Sequence, residues 1–306
     1  MVIVSKDMII PEKLKSFAKK ANAEDWLNAL PSKVNELAEL WGLELQDAYP
    51  NCGVAYVVPA KQMGETVVLK VQWPHEECRY EVDALKLWDG DGAVNLLESN
   101  QKHHAMLLEH CDPGTHLSNN DADDPIGVMI DLLPRLWKRT DGPFKRLRQE
   151  ARDWQCSLYS EWEASGRACE RSVIDAAYDI MNELSDSQGE QVLVHQDLHG
   201  DNVLASSRDG WLAIDPKPLI GEREFALSPI IRSFEFGETK KDVIYRLDRL
   251  TSELSLNRER ARGWAIAQSI AWGLGGDYSA KHQQTCLLYT SPSPRDATLS
   301  RMPSSA

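Results

Sequence analysis

Hydrophobic positions change their rhythm about a third of the way along the chain. Up to about residue 111 they sit in short runs, and beyond it they recur at helical spacing over long windows. In the first region Val34, Leu37, Leu40 and Trp41 share one face of a predicted helix, with Pro31 in its first turn and Gly42 as its stop. Two runs rich in strand formers, 54–58 and 66–73, are joined by a polar connection holding Pro59 and Gly64 and predict a hairpin. Residues 76–88 are helical in composition and close at Gly90 and Gly92, and 105–110 suit a further strand. A loop rich in Asp, Asn, Gly and Pro starts near Asp112 and leads to predicted helices at 125–138, 143–165 and 170–185. Two short apolar runs, 192–194 and 211–214, flank a polar loop, and helices resume at 239–254 and 257–274.

This order predicts an α+β protein: a small α/β part over 1–111 and a larger, mostly helical part over 112–285. No repeat of 20 to 50 residues is present, which excludes solenoids and propellers. Residues 286–306 hold five serines and three prolines with no periodic apolar face, so they read as a tail without the means to fold. That segment resembles a translated sequencing adapter and is set aside from the fold.

Composition narrows the class. With 306 residues, 42% hydrophobic and 26% charged, the chain falls among globular proteins and has length for one large or two modest domains. Its 34 basic and 47 acidic side chains leave a formal charge of −13. An acidic field repels nucleic acid and gathers cationic small molecules. No run reaches the roughly 18 apolar residues of a membrane span, and no leader pattern opens the chain, so a cytoplasmic protein without a membrane partner is expected. The six scattered cysteines form no C-x-x-C and predict reduced thiols. Nothing in the pattern sets an oligomeric state.

The richest segment runs Val194-His195-Gln196-Asp197-Leu198-His199-Gly200-Asp201-Asn202, followed by Leu212-Ala213-Ile214-Asp215-Pro216. A loop between two short strands presents Asp197 and, five positions on, Asn202, while Asp215 follows at the end of an apolar run. Phosphoryl transfer from ATP uses this equipment: a carboxylate that orients a hydroxyl and takes its proton, and hard oxygen ligands for magnesium. Taken alone, Asp and Asn here are turn residues. A zinc hydrolase is the rival chemistry, because His195, Asp197, His199 and Asp201 alternate, but no second ligand cluster follows to complete the shell.

The H-x-D-x-x-x-x-N pattern of His195, Asp197 and Asn202, with Asp215 after it, resembles the aminoglycoside phosphotransferases, and most closely their streptomycin and hydroxyurea kinase branch. The resemblance covers about residues 40–275 and implies a bilobal protein-kinase-like fold, with a sheet-containing N-lobe for nucleotide and a helical C-lobe for catalysis. It implies Asp197 as catalytic base, Asn202 and Asp215 as magnesium ligands, and His195 as organiser of the loop. Val67-Val68-Leu69-Lys70-Val71 resembles the strand whose lysine holds the nucleotide phosphates, with Glu81 on the next helix as its partner. Residues 106–114 resemble the linker, where the Glu109 carbonyl and Cys111 amide would bind adenine, so that side-chain identity is unimportant at both.

Two features depart from the family pattern. Only Gly53 marks the phosphate-covering loop near Asn51 and Cys52, and Ala226 stands where the family has an aspartate that braces the catalytic loop. Losing that carboxylate predicts loop amides without an acceptor. The resemblance implies an ATP- and magnesium-dependent phosphotransferase conferring antibiotic resistance, with streptomycin as the foremost acceptor. Hydroxyurea, another aminoglycoside, an amino alcohol or a sugar remains open as acceptor, as does a silent nucleotide-binding protein of the same fold. Taken alone, Lys70 reads as a solvated strand lysine and Glu81 as a surface charge. The acids Asp121, Asp123 and Asp124 read as a solvated loop, and Trp264 and Trp272, eight apart, as core.

Overall fold

The computed structural model describes residues 8–119 and 124–274, so the segment 286–306 and the acids Asp121 and Asp123 lie outside the described residues. The chain divides into two compact units, one drawn from Met1–Gly114 and Ala205–Ile214, the other from Thr115–Leu204 and Asp215–Ala306. The units are thus discontinuous in sequence, with the ten residues 205–214, after the His195–Asn202 motif, returning to the first unit.

The first unit opens with α1 (Glu12–Lys20) and α2 (Glu24–Trp41). Pro31 lies inside α2 rather than at its start. A proline removes one intrahelical bond, but Trp26, Leu30, Val34 and Leu37 bury at spacings of four, four and three, and that stripe carries the helix through the gap. Leu40, expected on the apolar face, is 63% exposed.

Strands β1 (Glu44–Leu45), β2 (Ala55–Gln62) and β3 (Glu65–Gln72) follow, then α3 (Glu81–Trp88), β4 (Leu96–Asn100) and β5 (Ala105–Glu109). They form an antiparallel sheet in the order β1-β2-β3-β5-β4. The hairpin forms, but its turn is the pair Met63 and Gly64, with φ of 49° and 93°, the doubly positive geometry that a two-residue hairpin requires. Pro59 lies within β2 opposite Val68, on a strand flanked on its other side by only the two residues of β1, so the missing donor disrupts little. The 76–88 helix is split: a short 3-10 turn covers Glu76–Cys78 and α3 begins at Glu81. Val58, Leu69, Val71 and Leu107 from the sheet pack with Leu30, Val34 and Leu37 of α2 in one core.

Strand β6 (Pro113–His116) leads on to α4 (Pro125–Leu136), β7 (Lys145–Arg146), α5 (Leu147–Ala164) and α6 (Arg171–Asp186). Strand β8 (Gln191–Val194) precedes the His195–Asn202 motif, and β9 (Val203–Ser206) and β10 (Gly210–Ala213) follow it. The expected polar loop therefore contains a strand of its own. Next come β11 (Leu219–Glu222), the single turns α7 (Arg223–Ala226) and α8 (Ser228–Ile231), then α9 (Lys240–Glu253) and α10 (Arg258–Gly273). In the second unit β11 lies between β7, parallel to it, and β8, antiparallel. Helix α10 is buried on nearly every side. Among the described residues no helix is long and apolar enough to cross a membrane, and the described cysteines are free thiols.

Candidate active site

In the first unit, residues two apart on a strand share a face, and Lys70 and Gln72 of β3 both point to α3. Lys70 Nζ lies 2.7 Å from Glu81 Oε1 and 2.9 Å from Oε2, and Gln72 Nε2 donates to the same carboxylate. Glu81 is the first residue of α3, where the helix dipole favours an anion. Both ends of the pair are buried, Lys70 at 6% and Glu81 at 1% exposure, so neither is the surface charge that it resembles in isolation.

Glu109 ends β5, and its side chain is engaged. The carboxylate accepts from the Asn95 amide at 2.7 Å and from Arg208 Nη2 and Nε at 2.8 and 3.0 Å. Arg208 also donates to the carbonyls of Gly90 and Ala93. The expectation of an unimportant side chain at Glu109 is therefore corrected: it fastens the 205–214 segment to β5. Cys111 is buried, and burial pushes its thiol up to about 11, so it stays protonated.

In the second unit the motif loop is tied at several points. The buried His195 accepts through its carbonyl from the amides of Asp197 at 2.8 Å and Lys217 at 3.1 Å. One carbonyl thus binds the Asp197 loop to the segment that follows Asp215. Asn202 Nδ2 donates to the Asp197 carbonyl at 2.9 Å, so the amide nitrogen serves the loop and a metal would meet the oxygen. Gln196 and Asp215 have φ of 62° and 54°. Left-handed backbone at residues other than glycine costs roughly 1 kcal/mol or more and persists only where surroundings impose it. The motif carries two such residues.

Asp197 lies between two cations. Its Oδ1 is 3.5 Å from Arg232 Nη2 and its Oδ2 is 3.3 Å from Lys217 Nζ. Glu235 braces the far end of the loop, accepting from His199 Nδ1 at 2.8 Å, the Gly200 amide at 2.6 Å and Ser233 Oγ at 2.9 Å. A Cβ on Gly200 would stand 2.6 Å from Glu235 Oε2 and 3.0 Å from Ser118 Cβ, so only glycine permits this approach. The Gly200 amide accordingly has an acceptor although residue 226 is a buried alanine. Burial pulls the His199 imidazolium down, but the Glu235 hydrogen bond and the charges of Asp197, Glu235 and Asp201 outweigh it and set the group above its ordinary value. Burial also pushes Glu235 up, and His199, Ser233 and the Gly200 amide together bring it below its ordinary range.

The ligating atoms that gather are those of His199, Asp201 and Glu235, within 4.8 Å of one another, rather than the alternating row. His199 Nδ1 pairs with Glu235, and Asp201 accepts from Ser118, so these groups form a hydrogen-bond network. Lys217, Arg232, Glu235, Gly200 and Gln268 took no part in the sequence-based site. One signal for Gln268 is present: a polar residue directly after the apolar run from Gly263 to Ala267 of α10.

The family described as aminoglycoside/hydroxyurea antibiotic resistance kinase matches residues 45–274. A hydroxyurea phosphotransferase of Kitasatospora aureofaciens is 36% identical over 259 residues, covering 82% of this chain and 74% of that protein. A streptomycin 6-kinase of Streptomyces griseus is 33% identical over 279 residues, covering 87% and 91%. Among solved structures, the choline kinase LicA of Streptococcus pneumoniae superposes with a TM-score of 0.62 at 16% identity, over 86% of this chain and 99% of that one, which shows the shared protein-kinase-like fold.

Proposed function

Because the chain belongs to the aminoglycoside/hydroxyurea antibiotic resistance kinases, and so is a small-molecule phosphotransferase, we propose that it transfers the γ-phosphoryl group of ATP to a hydroxyl of streptomycin. The observation that carries the catalytic assignment is the His195 carbonyl, which binds the amides of Asp197 and Lys217 and so couples the base to the Asp215 segment.

In this reading Asp197 accepts a hydrogen bond from the acceptor hydroxyl and takes its proton as the oxygen bonds to the γ-phosphorus. The bond to the β–γ bridging oxygen breaks, ADP leaves, and Asp197 returns the proton to solvent. The Asn202 amide oxygen and the Asp215 carboxylate are the hard donors that suit magnesium, and their chemistry fits that ion. Bound magnesium neutralises phosphate charge. Lys70, held by Glu81, meets the α and β phosphates, and the Glu109 carbonyl and Cys111 amide hold adenine. The charge of −13 favours a cationic acceptor, which streptomycin's guanidinium groups supply.

The 36% identity to a hydroxyurea phosphotransferase supports hydroxyurea as a second acceptor. ADP release, coupled to a mass increase of the acceptor, is measured with streptomycin, hydroxyurea, other aminoglycosides and amino alcohols. Streptomycin-dependent ADP release is expected. Asp197→Asn should lower turnover by roughly a hundredfold or more while leaving ATP affinity in place. Unchanged turnover in that variant sinks the base assignment, and phosphorylation of hydroxyurea alone replaces the acceptor.

A further inference from the structure

Trp264, Gln268 and Trp272 are spaced by four on α10 and therefore share a face. Trp264 is buried in the core and donates to Glu222. Trp272 is only partly buried, and two cations lie against its ring: Lys217 Nζ at 4.8 Å from the centroid and the Arg232 guanidinium carbon at 4.9 Å. These are the same two cations that flank the Asp197 carboxylate. Gln268, fully buried between the tryptophans, accepts from Arg232 Nε at 3.0 Å and donates to the Gln196 carbonyl at 2.9 Å. One carboxamide thus joins the guanidinium to the left-handed residue immediately before Asp197.

We propose that Trp272 and Gln268 are positioning residues for Asp197, acting through Lys217 and Arg232. The inference rests on Asp197 as the base. A charge-assisted bond of full strength has donor and acceptor about 2.7 to 2.9 Å apart. At 3.3 and 3.5 Å the two cations orient the carboxylate without saturating it, and an acceptor hydroxyl competes for its lone pairs. Fixing lysine and arginine side chains costs much rotamer freedom, so each further contact on them helps to set their position. The indole adds a restraint: a cation within about 6 Å of its centroid is attracted by the ring quadrupole, and one ring serves both here. Gln268 fixes the direction of the guanidinium and the backbone from which Asp197 springs. Packing alone does not account for Trp272, since a core tryptophan needs neither the partial exposure nor the cations.

The test is a steady-state comparison of wild type, Trp272→Leu, Trp272→Phe and Asp197→Asn with whichever acceptor the wild type turns over. Trp272→Leu should lower kcat on the order of tenfold to a hundredfold, as misplacement of a catalytic group does, with KM for ATP within about twofold of wild type. Trp272→Phe, which keeps an aromatic face, should recover most of the loss. A wild-type kcat in Trp272→Leu, an equal loss in Trp272→Phe, or a raised KM for ATP at constant kcat overturns the proposal. So does a loss of kcat that tracks only a lowered melting temperature. Asp197→Asn separates the two readings: if it is inactive while Trp272→Leu is unimpaired, the base stands and the positioning role falls. If Asp197→Asn turns over normally, both fall.

Discussion

Lys70 and Asp197 are both charged, both enclosed and both assigned to one reaction, yet they are held in opposite ways. Lys70 is sealed against Glu81 at 2.7 and 2.9 Å, with Gln72 on the same carboxylate. Asp197 faces its two cations at 3.3 and 3.5 Å and takes its position from a network of backbone bonds, Gln268 and an aromatic ring. A group that offers a constant positive charge is served by a permanent partner. In the role of base proposed above, Asp197 exchanges hydrogen-bond partners in each turnover, and a field that directs it leaves its lone pairs accessible. The distance of an ion pair does not rank its worth: Arg249 meets Asp124 at 2.5 and 2.6 Å, but the Asp124 side chain is 46% exposed, and solvent screens it.

The sharpest way to break this comparison is to remove one end of the sealed pair. Glu81→Ala removes the buried carboxylate that Lys70 and Gln72 share, and unfolding in urea should show a loss of roughly 3 to 5 kcal/mol. Replacing both residues, Lys70→Met with Glu81→Leu, should restore most of that stability while ATP affinity stays low. A single variant as stable as wild type would mean that the pair is not sealed.

The braced loop should respond less. Glu235→Ala removes the acceptor of the Gly200 amide and the partner of His199, and should cost about 1 to 3 kcal/mol. Because the loop carries Asp197, the proposed base, kcat should fall by a larger factor than KM for ATP rises. Calorimetry combined with steady-state kinetics checks both, and an unaltered kcat would show that the loop holds its shape without this carboxylate.

The smallest effect belongs to the exposed pair. Asp124 caps α4 through the Gly127 amide at 3.0 Å and is held below its ordinary value first by the Arg249 hydrogen bond. Its folded pKa being lowered, the ionic stabilisation is present above the unfolded value of 3.8 and fades as pH falls through the folded one. Asp124→Ala should cost about 1 kcal/mol at pH 7, most of it from the lost cap. The difference from wild type should shrink in acid and in high salt. A gap independent of both would assign the whole effect to the uncharged cap.

Local signals were legible where one stretch of chain makes its own structure. The hairpin and the long helices are written in spacing, and the H-x-D-x-x-x-x-N order with Lys70 and Glu81 stands in the sequence itself. The errors share a cause. Pro31 and Pro59 looked like boundaries because local chemistry disfavours them inside elements, but burial on α2 and the nearly open edge of β2 tolerate them. The Glu109 side chain looked idle because its partner, Arg208, is 99 residues away. Ala226 offers no carboxylate to the loop, and the Gly200 amide finds its acceptor in Glu235, on the connection between α8 and α9.

By itself the amino-acid sequence determined the class of fold, the alternation of strand and helix, and the order of the chemistry-bearing residues, since these depend on periodicity and on motifs a few residues long. Tertiary structure alone decided which side chains surround them. Glu235, Arg232, Gln268 and Trp272 reach the loop from 35 to 75 residues downstream, and Lys217 from the turn after β10. Each is an ordinary polar or aromatic residue in its own segment. Its role arises only when helix packing brings α10 against the loop, because electrostatic and hydrogen-bond forces act over a few ångströms of space and take no account of separation along the chain.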